Sequence, residues 1–383
     1  MAVREFPSRP KKKVEKTEMK LWKHLIVNLI LCCIVGMQSP ILAKAQEADT
    51  DYQEILSEYE KNSVEYEQAS LWVQNQIIMY HEYEAQEKMY EEQLTESLTE
   101  QGRINTKKYH EQSILNKNLL KVYVEHEEEV LQMKQREAQY EFLKEALKIP
   151  VLLRYVSLKE AVYKEYKQAY QNTVAKRKQG YATKKQVTEA KLAMDNAKEE
   201  AESARENYYN LLDSIKETVG CETLPSVILK EKKKIKTLVE YKRGYEEAPT
   251  ALILEANCAS YKEYEEAIRE TLLEEENLIK KAENQTKQSK KQKEAYKKNS
   301  IQKIKTQIAA FRHQTAMYQI YTKKIAEGKK QLKTKKLLYQ HGKINKLEVL
   351  KQISTNEEME YKRLESLYEI NLSYYYLEYK INQ

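Results

Sequence analysis

The sequence predicts an all-α protein built from two tandem long helical hairpin repeats, with little or no β-strand. Three observations carry this expectation. Only 7 Gly and 6 Pro stand among 383 residues, so helix breakers are scarce. Val187, Ala190, Met194, Ala197, Ala201, Ala204, Tyr208, Leu211 and Ile215 alternate steps of three and four, the spacing of a coiled-coil seam whose small residues let two helices approach closely. Finally, Gly180 and Gly342 have matching surroundings: the offset that aligns them also aligns Lys184 with Lys346 and Val187 with Val349, which points to an internal duplication.

Taken in chain order, residues 1–45 read as an export leader. A basic stretch containing Lys11, Lys12, Lys13, Lys16, Lys20 and Lys23 precedes an apolar segment from Leu25 to Met37, which is short for a membrane span of about 20 residues. Ala43-Lys44-Ala45 then suits signal peptidase, which makes Gln46 the expected mature N-terminus; the alternative is an uncleaved anchor. Of the 66 basic and 59 acidic residues, nine and three lie in this leader, which leaves 57 against 56. The formal charge of +7 therefore gives no reason to expect a nucleic-acid partner, which calls for a concentrated basic surface. Lys230 to Lys236 and Lys287 to Lys298 read as solvated faces.

Residues 46–218 form the first expected repeat. Tyr155, Leu158, Val162, Tyr166 and Ala169 give one helical stripe, and the seam from Val187 to Ile215 gives the next, with the hairpin tip at Gly180 between them. Residues 219–250, holding Gly220, Pro225, Gly244 and Pro249, read as a connector. The second repeat, 251–383, turns at Gly342 and continues through Leu347, Leu350, Ile353, Leu364, Leu367 and Tyr374. Thirty tyrosines against 3 Phe and 2 Trp suit half-buried helix faces, where the ring packs and the hydroxyl meets water. Cys221 and Cys258 flank the connector; export permits a disulfide between them, and two free thiols fit the sequence equally well.

Enzymatic chemistry is not expected. The six histidines show no H-E-x-x-H spacing, and there is no G-x-S-x-G, C-x-x-C or phosphate-binding glycine loop, so no cofactor or metal is expected either. His81 and His126 have carboxylates at adjacent positions, which do not face each other on a helix.

At its two glycines the chain resembles the TolC family of outer-membrane efflux proteins. Lys176-Arg177-Lys178-Gln179-Gly180-Tyr181-Ala182-Thr183, followed by Gln186-Val187-Thr188-Glu189-Ala190, is similar to the family's R-x-x-x-G-x-x-T-x-x-D-V-L-x-A pattern. It departs from the pattern at Lys176, Gln186 and Thr188. Leu338-Tyr339-Gln340-His341-Gly342-Lys343-Ile344-Asn345 with Leu347-Glu348-Val349-Leu350 resembles it again. The resemblance implies a protomer with two repeats and a homotrimer that closes a long α-helical barrel. It also implies tips that dock a membrane-fusion adaptor and, through it, an inner-membrane transporter. On that reading Gly180, Tyr181, Ala182, Thr183, Gly342, Lys343, Ile344 and Asn345 are the docking residues. Location follows: exported, in the cell envelope, at the outer membrane or periplasm of a diderm cell and at the surface otherwise. One departure is large. The regions where family members insert strands would fall near Leu98 to Thr106 and Glu283 to Lys298, and neither holds an alternating apolar segment. An exported coiled-coil scaffold without transport activity is therefore the alternative function.

Overall fold

The computed structural model describes residues 53–96, 99–224, 227–232 and 234–380. The expected leader, with Gln46, and Pro225 of the connector lie outside these residues. Ten helices make up the described chain: α1 (Gln53–Asn62), α2 (Val64–Thr95), α3 (Glu100–Glu125), α4 (Glu127–Ala146), α5 (Ile149–Lys178), α6 (Lys184–Val219), α7 (Leu238–Glu246), α8 (Pro249–Thr271), α9 (Glu276–Gln340) and α10 (Lys346–Lys380). No strand occurs among the described residues, and none of their helices is long and apolar enough to cross a membrane. The 65 residues of α9 extend roughly 100 Å at 1.5 Å per residue.

Each half of the chain has the same plan. A helical arm (α1–α2, or α7–α8) leads to a reversal, a long helical run (α3–α5, or α9) leads to a glycine tip, and one helix (α6, or α10) returns from it. Toward the tips the helices pack in a row, α6 on α5, α5 on α10 and α10 on α9. Toward the opposite end α2 packs on α3, α3 on α8 and α8 on α9.

The largest core lies between these two arrangements, where α1, α4, α5, α6, the connector, α9 and α10 converge. Ile55, Leu143, Ala146, Val219, Ile370 and Tyr375 are buried there, and Tyr59 stacks on Phe142 with ring centroids 4.1 Å apart. Each buried Ile, Leu or Val side chain among them contributes about 1.5–3 kcal/mol. Here the tyrosines depart from the half-buried expectation. Tyr375 is fully buried in this core and Tyr241 in a separate cluster with Ile304 and Leu377, and the Tyr241 hydroxyl donates to Glu378 Oε1 at 2.9 Å while accepting from Lys236 N at 3.2 Å. Burial pushes its phenol well above the usual tyrosine range and holds Tyr140, Tyr245 and Tyr361 up to about 12.

The heptad seam forms as its spacing requires. Ala197, Ala201 and Ala204 are buried, as is Ala161 of α5, with Lys159 to Glu200 at 2.7 Å beside them. Other boundaries differ from expectation. The reversal of the second half falls at Leu272–Glu275 rather than within Glu283 to Lys298, which is uninterrupted α9. No glycine or proline marks it. Leu272, 4% exposed, instead plugs a cluster with Leu115, Ile268 and Ala282, and Glu275 N donates to Leu272 O at 3.0 Å. The connector is irregular only as far as Thr237, because Thr237 and Glu240 form a capping box that starts α7.

Candidate functional site

Both glycine tips stop the incoming helix by the same pair of backbone bonds. At the first, Gly180 has φ +81°, Gly180 N donates to Arg177 O at 2.9 Å and Tyr181 N donates to Lys176 O at 2.8 Å. At the second, Gly342 has φ +68°, Gly342 N donates to Tyr339 O at 2.9 Å and Lys343 N donates to Leu338 O at 2.9 Å. These paired bonds are a Schellman ending, which needs a left-handed residue and therefore favours glycine. Family-pattern position Lys176, and Leu338 opposite it, act through their carbonyls, so the departure from Arg there costs the turn nothing.

Three residues on, each chain restarts from a cap. Thr183 Oγ1 accepts from Gln186 N at 3.2 Å, and Gln186 Oε1 accepts from Thr183 N at 2.8 Å. Gln186 is thus a substitute for the family's Asp that completes a capping box. Asn345 Oδ1 accepts from Glu348 N at 3.1 Å, so Thr183 and Asn345 are equivalent N-caps. A Cβ added at Gly180 or Gly342 would meet nothing within 4 Å. The apexes are open: Tyr181 is 81% exposed, and Thr183, Lys343 and Asn345 are exposed, with Ala182 and Ile344 half-buried. The structure places all eight tip residues in these two turns.

Behind the tips lies a polar clamp that sequence reasoning missed. Gly328 lies within α9, and the Asn356 side chain of α10 closes against it: a Cβ at Gly328 would stand 2.3 Å from Asn356 Oδ1. Asn356 Nδ2 donates to Gly328 O at 3.1 Å, and its Oδ1 accepts from Gln352 Nε2 at 3.1 Å. Across to the first hairpin, Ser354 donates to Glu165 and Arg154 pairs with Glu357 at 3.0 Å. Burial holds the Glu357 carboxyl above the usual range against the opposing pull of Arg154. The lone glycine inside a helical run was the available signal. A glycine there marks close approach as readily as it marks a break.

Cys221 and Cys258 are free thiols, both half-buried, rather than the bridge considered from sequence. The Cys221 thiol lies 3.8 Å from Glu58 Oε2 and 3.5 Å from Val219 O, held by the helix ending at Gly220, whereas Cys258 belongs to α8.

No protein-family model matches the chain, and no curated protein matches its sequence. Solved structures match its fold. The open-state MtrE outer membrane channel of Neisseria gonorrhoeae superposes with a TM-score of 0.60 at 11% identity, over 86% of this chain and 88% of that one. The outer membrane protein VceC of Vibrio cholerae gives 0.58 at 10% identity, over 86% and 94%. The CmeC outer membrane channel of Campylobacter jejuni gives 0.56 at 11% identity, over 84% and 85%. The chain thus has the fold of the TolC-family outer membrane channels, without a strand among its described residues.

Proposed function

We propose that this chain is a TolC-like export component. Copies of it, three by resemblance, associate into a helical conduit in the cell envelope, and the two glycine tips dock a membrane-fusion adaptor that links the conduit to an inner-membrane transporter. Residues 1–45 direct export, and residues 46–218 and 251–383 are the two repeats joined by the connector. The observation that carries the reading is the pair of open tips. Two turns closed by the same pair of backbone bonds leave open space around their glycines, an arrangement that contributes little to the fold and leaves backbone accessible to a partner. A second reading, an exported coiled-coil scaffold, is favoured by the lack of strands among the described residues.

The test uses the full chain in its own envelope, with a photo-cross-linker at Tyr181 or Lys343. Docking predicts a cross-link to one adaptor, lost on Gly180→Val or Gly342→Val while helix content is unchanged. Tip variants that retain cross-linking and export defeat the docking role and favour the scaffold.

A further inference from the structure

The row α6–α5–α10–α9 has two ends, and each end helix leaves one face bare. On α6, the face turned away from the Ala197–Ala201–Ala204 seam carries Leu192, Asp195, Glu199, Glu202, Glu206 and Tyr209, all exposed. Their steps of three and four are those of a second coiled-coil seam. On α9, the face turned away from Ile325 and Gly328 carries Arg312 and, at three-four spacing, Lys323, Ala326, Lys330, Lys333 and Leu337, again all exposed. The α6 stripe is acidic without a basic member, and the α9 stripe is basic without an acidic one. Leu192 is 61% exposed and Leu337 49%, although each stands in a position where a coiled coil would bury it.

Resting on the conduit reading above, we propose that these stripes are the two sides of one self-association seam: the acidic face of α6 in one copy lies antiparallel along the basic face of α9 in the next. The occupant is fixed by complementarity, since the missing partner of each stripe is present on the opposite edge of the same chain. Such a contact is heterologous and closes a ring when repeated around an axis. Copies related by that axis point their tips the same way, and α6 leaves a tip whereas α9 approaches one, so the pair is antiparallel. Its register follows from the boundary already formed within one copy. There Tyr155 of α5 packs on Tyr361 of α10, with ring centroids 5.2 Å apart, although Tyr155 lies about two helical turns farther from its tip. In a ring the same stagger separates the tips at the next boundary, and it sets Glu199 opposite Lys333 and Glu202 opposite Lys330.

Exposed ion pairs contribute little singly, and Glu202 already has an intrahelical pair with Lys198 at 3.3 Å. Burial of Leu192, Tyr209, Leu337 and the small Ala326 supplies the attraction, and the charges choose the partner and its direction.

The seam is tested on the full chain by light scattering and oxidative cross-linking. Glu199→Lys with Glu202→Lys should weaken self-association by about tenfold, as should Lys330→Glu with Lys333→Glu, and the chain carrying all four should recover most of that loss. A chain with Glu199→Cys and Lys333→Cys should oxidise to closed multimers, which neither single variant forms above the background from the native cysteines. Helicity by circular dichroism checks folding, with the neutral Lys330→Gln and Lys333→Gln variant as a milder probe. Reversals without effect, a fourfold variant no better than its parents, or stripes that capture another envelope protein while the mass stays unchanged would each overturn the seam. Those results would leave the conduit reading standing if the tip variants still lose the adaptor cross-link. A chain that is monomeric at every concentration removes both.

Discussion

The two ends of the described molecule reverse the chain by opposite means. At the tips the reversal is made locally, by a left-handed glycine, two carbonyls and a side-chain cap, and a Cβ on the glycine would meet nothing within 4 Å. At the other end the second half reverses at Leu272–Glu275 without a glycine. Leu272 and Leu115 are buried in a cluster of their own, Lys108 pairs with Glu275 at 2.9 Å, and Thr271 O accepts from Lys107 Nζ. The reversal at that end is thus held by side chains from both halves, whereas each tip stands alone. A turn that stands alone can be altered without unfolding the molecule and is free to meet a partner; a turn held by a core is neither. Gly220 shows that the motif itself does not decide. It ends α6 with the same bond pattern and φ +66°, yet a Cβ there would lie 3.7 Å from Asn62, whose Nδ2 donates to Val219 O at 2.9 Å.

The largest effect should therefore come from the closed end. Leu272→Ala removes a buried side chain from a small cluster and should cost about 2–4 kcal/mol. Its neighbour Leu273, 74% exposed, should change stability by less than about 0.5 kcal/mol on the same substitution. Urea denaturation followed by circular dichroism reads both. Equal losses at the two positions would mean that the end is not held by its core.

The fold was legible in sequence wherever one local signal decided the outcome. The alanine seam of α6 and the turns at Gly180 and Gly342 are such places, because a heptad and a left-handed glycine act over a few residues. The reversal at Leu272–Glu275 was not legible, since Leu272 turns there to reach Leu115, 157 positions earlier in the numbering, and no adjacent residue announces it. Gly328 has no meaning in its own sequence neighbourhood: it lies in continuous helix, and its role is set by Asn356 on another helix. For the site, residue positions at the tips were readable, but the roles of Gln186 and Asn345 as cap partners emerged only from their geometry. The clamp behind them needed both helices in place.

An intermediate effect is expected at the glycines. The Cβ of a valine at Gly180 or Gly342 meets no atom within 4 Å, so the expected cost is that of the left-handed backbone, about 1–2 kcal/mol. Because the tips are remote from the main core, this loss should appear as local fraying and leave the midpoint of global unfolding nearly unshifted. A large fall in that midpoint would show that the tips are coupled to the core, and the contrast between the two ends would fail.

The smallest effect concerns the caps and separates the two tips from each other. Thr183 and Gln186 exchange two hydrogen bonds, whereas Asn345 receives one from Glu348 N, and the Glu348 carboxylate stands 3.8 Å from Lys351 instead. Removing an N-cap side chain costs about 1 kcal/mol, which changes the population of the frayed state by about fivefold. Hydrogen exchange can detect that change where global denaturation cannot. Thr183→Ala should speed exchange of the Gln186 amide about fivefold, and Asn345→Ala should do the same at Glu348. Substituting the residue three positions on should distinguish them. Gln186→Ala breaks the reciprocal bond and frays the first tip, while Glu348→Ala leaves the Asn345 cap intact and should barely change the second. If Gln186→Ala changes the first tip as little as Glu348→Ala changes the second, the reciprocal bond contributes nothing, and the two turns are energetically equivalent despite their different caps.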